Sequence, residues 1–162
     1  MAGISIQTLS DMIGRGEAEA ALAATIALIQ SDQTDAEAWS ARAFVEDMLE
    51  CFDAAEISIT QAWTLAPSPD LQFKRAGIRL KAGHTQAALS DALAVVATGE
   101  RFFHNEALLL AAEARRRMGR WNDALKTCDE LPDDAEIWSG GLVTAREIRA
   151  QCEPMLMHRR AA

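Results

Sequence analysis

The sequence predicts an all-α protein made of repeated helical hairpins, and three features indicate this fold class. Apolar residues recur at helical spacing along most of the chain. Glycine or proline separates most of the predicted helices. Four alanines at equivalent places, Ala21, Ala55, Ala88 and Ala124, are separated by 34, 33 and 36 residues. Repetition at this period is typical of stacked helix-turn-helix units.

The clearest unit covers residues 35–67. Asp35 is a predicted N-cap for a first helix whose apolar stripe contains Trp39. A second stripe follows and consists of Ala55, Ile59, Ala62 and Trp63. We expect the second helix to end before Pro67, because proline cannot continue a helix and disfavours helical geometry at the residue before it.

This unit resembles the tetratricopeptide repeat. The family pattern is filled at six positions, which are Trp39, Ala43, Ala55, Ile59, Ala62 and Pro67. Two positions depart from it: Glu46 replaces the usual aromatic residue, and Glu50 replaces the usual glycine. The resemblance implies an α-solenoid, in which helical hairpins stack into a right-handed superhelix.

We predict one domain over residues 1–153, followed by a tail at 154–162. The predicted repeats cover about 1–34, 35–67, 68–101 and 102–133, and a capping helix covers 134–153. That last helix is expected because Asp134–Ser139 nearly repeats Asp35–Ser40, although Gly140 and Gly141 each weaken a helix by about 1 kcal/mol. The helix should stop before Pro154. The tryptophans, Trp39, Trp63, Trp121 and Trp138, are expected in the core.

Charge and composition exclude some classes of function. The 162 residues are 49% hydrophobic and carry a net charge of −8, which argues against nucleic-acid binding. Residues 1–66 contain eleven acidic and two basic residues, whereas residues 67–162 contain thirteen acidic and fourteen basic ones. No apolar run approaches the roughly twenty residues of a membrane span, and no secretion signal is recognisable. We expect a cytoplasmic protein without a membrane partner.

The sequence contains no convincing catalytic, cofactor or metal site. The histidines fall in a predicted turn, a connector and the tail, where solvation is commoner than catalysis. Three widely spaced cysteines favour reduced thiols packed among helices over a disulfide or zinc site. Consecutive residues on a helix point about 100 degrees apart, so Arg115–Arg117 cannot form one basic patch. We therefore predict a non-catalytic protein without cofactor or metal.

The resemblance implies a concave groove, lined by the first helix of each hairpin, that holds a segment of another protein. The predicted groove residues are Ser40, Phe44, Asp47, Met48, Phe73, Leu80, Lys81, Leu109, Glu113, Arg116, Arg117, Val143 and Arg146. We expect apolar ligand anchors near Phe44, Met48, Phe73 and Leu80. Acidic ligand residues are expected at the arginine-rich end, because guanidinium groups bind carboxylates.

Further possibilities concern the function and the partner. The size and acidity resemble those of cytoplasmic chaperones that hold translocator proteins for type III secretion, and an enzyme of unrecognised class is the remaining alternative. A clamp for a free C-terminal carboxylate is not expected, because Ser40, Phe44, Phe73 and Gly77 occupy its positions. Phe102 and Phe103, in an irregular connector, could support a weak homodimer or pack against the longer third repeat.

Overall fold

The computed structural model describes residues 4–160, and within this range nine α-helices dominate, as predicted. They are α1 (Ile6–Gly14), α2 (Ala18–Ser31), α3 (Ala36–Met48), α4 (Phe52–Leu65), α5 (Pro69–Lys81), α6 (Thr85–Ala97), α7 (His104–Arg117), α8 (Trp121–Cys128) and α9 (Ala145–Arg160). A 3-10 turn, Arg101–Phe103, precedes α7, and strands β1 (Glu136–Trp138) and β2 (Leu142–Thr144) precede α9. Residues 1–3 of the first predicted repeat and 161–162 of the predicted tail lie outside the described residues.

The chain divides into two compact units, one ending at Leu71 and the other beginning at Gln72. Unit 1 contains the hairpins α1/α2 and α3/α4, and its α1–α3 core consists of Leu9, Ala21, Ala41 and Val45. Unit 2 contains most of α5 and all later elements, and its core extends from Ala76 to Cys152. The single domain over residues 1–153 stays a prediction.

The two helices of every hairpin are joined by the same kind of turn. Its central residue lies five positions before the recurring alanine of that hairpin (Ala21, Ala55, Ala88 or Ala124). Gly16, Gly83 and Gly119 adopt positive φ angles of 81°, 84° and 72° there. Glu50 takes the equivalent place with φ 58°, the one non-glycine residue of the described range in this conformation. In each turn the next amide donates to the carbonyl five residues earlier at 2.9 Å. This hydrogen bond is typical of the Schellman helix end, which favours glycine.

A polar pair, buried in one case and partly buried in two, crosses three of the four hairpins at equivalent positions. Ser58 Oγ donates to Glu46 Oε2 at 2.6 Å, and Arg79 donates to Asp91 Oδ2 at 2.6 Å. Arg115 donates to Thr127 Oγ1 in the third pair, and the partners in all three are twelve residues apart. Glu46 thus replaces an aromatic residue because it has a hydrogen-bond partner on the facing helix.

The predicted helix beginning at Asp134 is wrong. Residues 136–144 form an antiparallel hairpin, in which Trp138 pairs with Leu142 across a turn containing Gly140 at φ 74°. Glycine favours this left-handed turn, and the flanking aromatic and β-branched residues favour strands. The near repeat of Asp35–Ser40 therefore folds differently here, and the C-terminal helix begins at Ala145.

Two related expectations also fail. Helix α9 continues through Pro154 to Arg160, so the helix does not stop before Pro154 and most of the predicted tail is helical. Proline removes one backbone donor, but Ala150, whose carbonyl loses that partner, is exposed to water. Trp138 is 68% exposed on the hairpin instead of lying in the core. Trp39, Trp63 and Trp121 are half-buried.

Candidate functional site

In unit 1 the predicted groove residues all lie on α3. Ser40, Phe44 and Asp47 are half-buried, and Met48 is 47% exposed. Their spacing of about four residues places them along one side of the helix. Phe44 packs against the buried core of unit 1. This side of α3 therefore offers two apolar side chains, Phe44 and Met48, beside the polar Ser40 and Asp47, and Phe44 joins it to the core.

In unit 2 the predicted residues of α5 differ in exposure. Phe73 and Lys81 are half-buried, whereas Leu80 has 0% exposure and belongs to the core. Leu80 therefore cannot act as an anchor for a ligand, contrary to expectation. Leucine at the C-terminal end of α5 is buried because α7 residues such as Leu109 occupy the same core cluster.

The predicted residues of α7 are also partly misplaced. Leu109 has 0% exposure and Glu113 has 1%, so neither is available on an open groove surface. Helix α7 is buried on several sides, since every residue from Ala107 to Ala114 is buried. A helix buried all round gives no sequence signal that separates a groove side from a core side.

Arg116 and Arg117 are brought together by Glu113. Arg116 donates to both carboxylate oxygens of Glu113 at 2.6 and 2.7 Å, and Arg117 Nε donates to Oε1 at 2.6 Å. Burial alone would raise the pKa of Glu113, but the hydrogen bonds from the two guanidinium groups lower it overall. The same hydrogen bond raises the pKa of Arg116. Both arginines are thus paired with Glu113 on the same helix. The spacings of three and four residues could have indicated this pairing.

Arg117 has a second, structural role. It donates to the Leu80 carbonyl at 2.8 Å and to the carbonyl and hydroxyl oxygens of Ser139 at 3.2 and 3.1 Å. This side chain therefore links α5, α7 and the turn of the β-hairpin. Replacing Arg116 and Arg117 by glutamate would disturb the core as well as any ligand contact, because Glu113 would then face two carboxylates.

The remaining predicted residues, Val143 and Arg146, do not share a helix. Val143 is half-buried on β2, and Arg146 is exposed in the first turn of α9. Val143 lines a small cleft of ≈ 140 Å³ together with Glu113, Arg116, Leu142, Glu147, Ile148 and Gln151. Charges of both signs line this cleft, so it has no clear preference for an anion or a cation.

Phe73, Phe102 and Phe103 form an aromatic cluster. Phe103 stacks on Phe73 with ring centroids 5.1 Å apart, and Phe102 contacts Phe103 edge-on at 4.7 Å. Phe102 is 77% exposed. Phe103 therefore packs within unit 2, whereas Phe102 remains on the surface, and the weak homodimer stays a prediction.

The reactive side chains form no metal cluster within residues 4–160. Cys51 is exposed, unlike the packed thiol that was expected, and Cys128 and Cys152 are buried. Burial raises the pKa of Cys128 to about 11 and raises that of Cys152, which keeps both thiols protonated at neutral pH. No helix in the described range has the length and apolar content of a membrane span.

Solved structures that are similar to this chain include several tetratricopeptide-repeat proteins. One from Parabacteroides merdae has a TM-score of 0.74 at 19% identity, covering 94% of this chain and 59% of its own length. YrrB, described as having an unusual peptide-binding site, has a TM-score of 0.63 at 19% identity, covering 76% of this chain and 63% of its own. TTC0263 from Thermus thermophilus has a TM-score of 0.63 at 15% identity, covering 94% and 79%.

This chain thus spans less than two thirds of the first two proteins. No protein-family model and no curated protein matches the sequence. At these identities the structural similarity concerns the fold. The chain has the tetratricopeptide-repeat fold, built from helical hairpins and closed by a C-terminal helix.

Proposed function

We propose that the chain is a non-catalytic protein-interaction module that binds a segment of another protein on the first helices of its hairpins. The observation that carries this proposal is the repeated hairpin, which gives each unit a set of equivalent helices. On these helices several apolar side chains reach the surface. Met48 is 47% exposed on α3, and half-buried Phe73 on α5 stacks on Phe103, which contacts the exposed ring of Phe102 in the 3-10 turn.

The solved structures support this proposal in a general way. YrrB, which has the same fold, is described as having a peptide-binding site. Exposed apolar groups that are held on rigid helices favour recognition, because little side-chain entropy is lost when a partner binds. An adaptor or scaffold role follows from this reading.

Site-specific photo-crosslinking tests the proposal. A benzophenone amino acid is placed at Phe44 or Phe73, on first helices, and at Ile57 or Leu93, on second helices. The last two are matched controls, since Ile57 is 70% exposed and Leu93 is 36% exposed. Each full-length variant is irradiated in extract of the source cells, and the crosslinked species are compared by mass spectrometry.

We expect the same partner to be captured from Phe44 or Phe73 and to be absent from Ile57 and Leu93. Capture of that partner from the second-helix positions with equal efficiency would contradict binding on the first helices. No specific capture from either first-helix position would remove the support for an interaction role.

A further inference from the structure

The basic residues of the first 66 positions are both used within the chain. Arg15 Nε pairs with Glu17 at 2.9 Å, and Arg42 Nε pairs with Glu46 at 2.8 Å. The same stretch contains eleven carboxylates and has neither lysine nor histidine. Its formal charge is therefore −9, whereas residues 67–162 carry +1. The two stretches thus offer very different electrostatic environments to a ligand.

Unit 1 also carries apolar surface around its core. Six partly buried side chains pack against Leu9, Ala21, Ala41 and Val45; they are Ile4, Met12, Ile13, Leu22, Phe44 and Leu49. On α3 this surface continues from half-buried Phe44 to Met48, one turn further along. On α1, Ile6 is 46% exposed, one turn before the buried Leu9. Met12, Ile13 and Phe44 of this set, together with Ile6 and Met48, are termed the α1/α3 face.

Exposed carboxylates lie on the same part of the chain. Asp11 is exposed on α1, with its Oδ1 accepting from Gln7 at 2.8 Å. Glu50 is exposed in the turn after α3. A ligand on the α1/α3 face would therefore have apolar contacts within a stretch, residues 1–66, whose formal charge of −9 attracts cations.

We infer that the α1/α3 face binds a cationic amphipathic segment of another protein, with its apolar side on Phe44 and Met48 and its lysines or arginines attracted by the exposed carboxylates of unit 1. This rests on the proposed interaction function and names the chemistry of the ligand. An acidic ligand is disfavoured, because residues 1–66 carry a charge of −9 and because Glu113 already holds Arg116 and Arg117 in unit 2. Nucleic acid, anionic lipid and a second copy of this chain, with its net charge of −8, are disfavoured for the same reason.

The test uses two synthetic peptides and the full-length chain. One peptide has leucines at helical spacing and lysines elsewhere, and the other has glutamate in place of every lysine. We expect the lysine peptide to bind and the glutamate peptide not to, as measured by fluorescence anisotropy. Raising NaCl should weaken binding, because the attraction between lysines and exposed carboxylates is screened. Equal binding of both peptides, or preferential binding of anionic vesicles or single-stranded DNA, overturns the inference.

Matched variants locate the site. Asp11→Asn with Glu50→Gln should weaken binding of the lysine peptide by about three- to tenfold, as expected for losing two exposed ion pairs. Asp129→Asn with Glu130→Gln removes the same charge from exposed positions of unit 2 and should leave affinity unchanged. Met48→Ser should weaken binding, and Ile57→Ser, on α4, should not. Equal losses in test and control variants would mean non-specific attraction and would overturn the inference.

The two proposals fail in different ways. If crosslinking maps a partner to the first helices but the lysine peptide does not bind, the cationic ligand is wrong and the interaction module stands. If crosslinking captures nothing, the interaction function itself fails. Binding of the lysine peptide would then reflect only the attraction of a cation to an acidic surface.

Discussion

The hairpins α3/α4 and α5/α6 place buried polar groups at the same repeat positions but distribute the charges differently. In α3/α4 the carboxylate belongs to the first helix, where Arg42 pairs with Glu46, and only the Ser58 hydroxyl crosses to it from α4. In α5/α6 the carboxylate of Asp91 lies on the second helix and the arginines come from the first. An ion pair therefore joins the two helices at this position in one hairpin, whereas a neutral hydroxyl donor joins them at the equivalent position in the other.

The largest loss of stability is expected when the Asp91 carboxylate of α5/α6 is removed. Arg75 donates to both oxygens of Asp91 at 2.8 and 2.7 Å, and both residues are buried. Asp91→Ala leaves the guanidinium of Arg75 in the interior without this carboxylate, which should cost about 3–5 kcal/mol. Urea denaturation followed by circular dichroism measures the loss. Glu130→Ala, at an exposed position, is the control and should change stability little; a similarly small loss for Asp91→Ala would contradict the comparison.

A smaller loss is expected for Ser58→Ala in α3/α4. The buried carboxylate of Glu46 keeps Arg42, so only one hydrogen bond to a charged acceptor is removed. We expect about 1–2 kcal/mol of destabilisation, measured in the same urea titration. If Ser58→Ala were as costly as Asp91→Ala, the hydroxyl would matter as much as the ion pair, and the distinction between the hairpins would fail.

The smallest changes in stability are expected for substitutions in the turns of the same two hairpins. Glu50 and Gly83 occupy equivalent positions with positive φ angles of 58° and 84°. Glu50→Gly should stabilise the chain by about 0.5–1 kcal/mol, because glycine adopts this conformation without steric strain. Gly83→Ala should destabilise it by about 1 kcal/mol, although an added Cβ would meet no neighbouring atom within 4 Å. Thermal melts that shift in the same direction for both variants would exclude backbone strain as the cause.

Much of the fold could be predicted from the sequence, because short-range signals determine it. The alanine series and the glycine turns located every hairpin, and Asp35 caps α3 by accepting from the amide of Glu37 as predicted. The failure at Asp134–Ser139 is instructive. Six residues that nearly repeat a helix start do not form a helix when Gly140 and Gly141 follow, because the turn and strand preferences of the next residues then dominate.

The candidate site was less predictable, since its assignment depends on tertiary contacts. Leu80 and Leu109 were placed on a surface but lie in the core, because helical spacing defines a stripe without saying which neighbour covers it. Arg116 and Arg117 were expected to meet a ligand, but they pair with Glu113, three and four residues earlier. That pairing was accessible from the spacing alone. The acidic first half, by contrast, was visible in the sequence and carries the strongest inference about the ligand.

The twelve-residue separation of the crossing pairs has a consequence for folding kinetics. Glu46 meets Ser58, and Arg79 meets Asp91, after closure of short chain segments. Closing a loop of this length requires little chain entropy, and proteins that are rich in such local contacts fold fast, within microseconds to milliseconds. Each of these hairpins can therefore acquire its register early during synthesis, as soon as its second helix has left the ribosome.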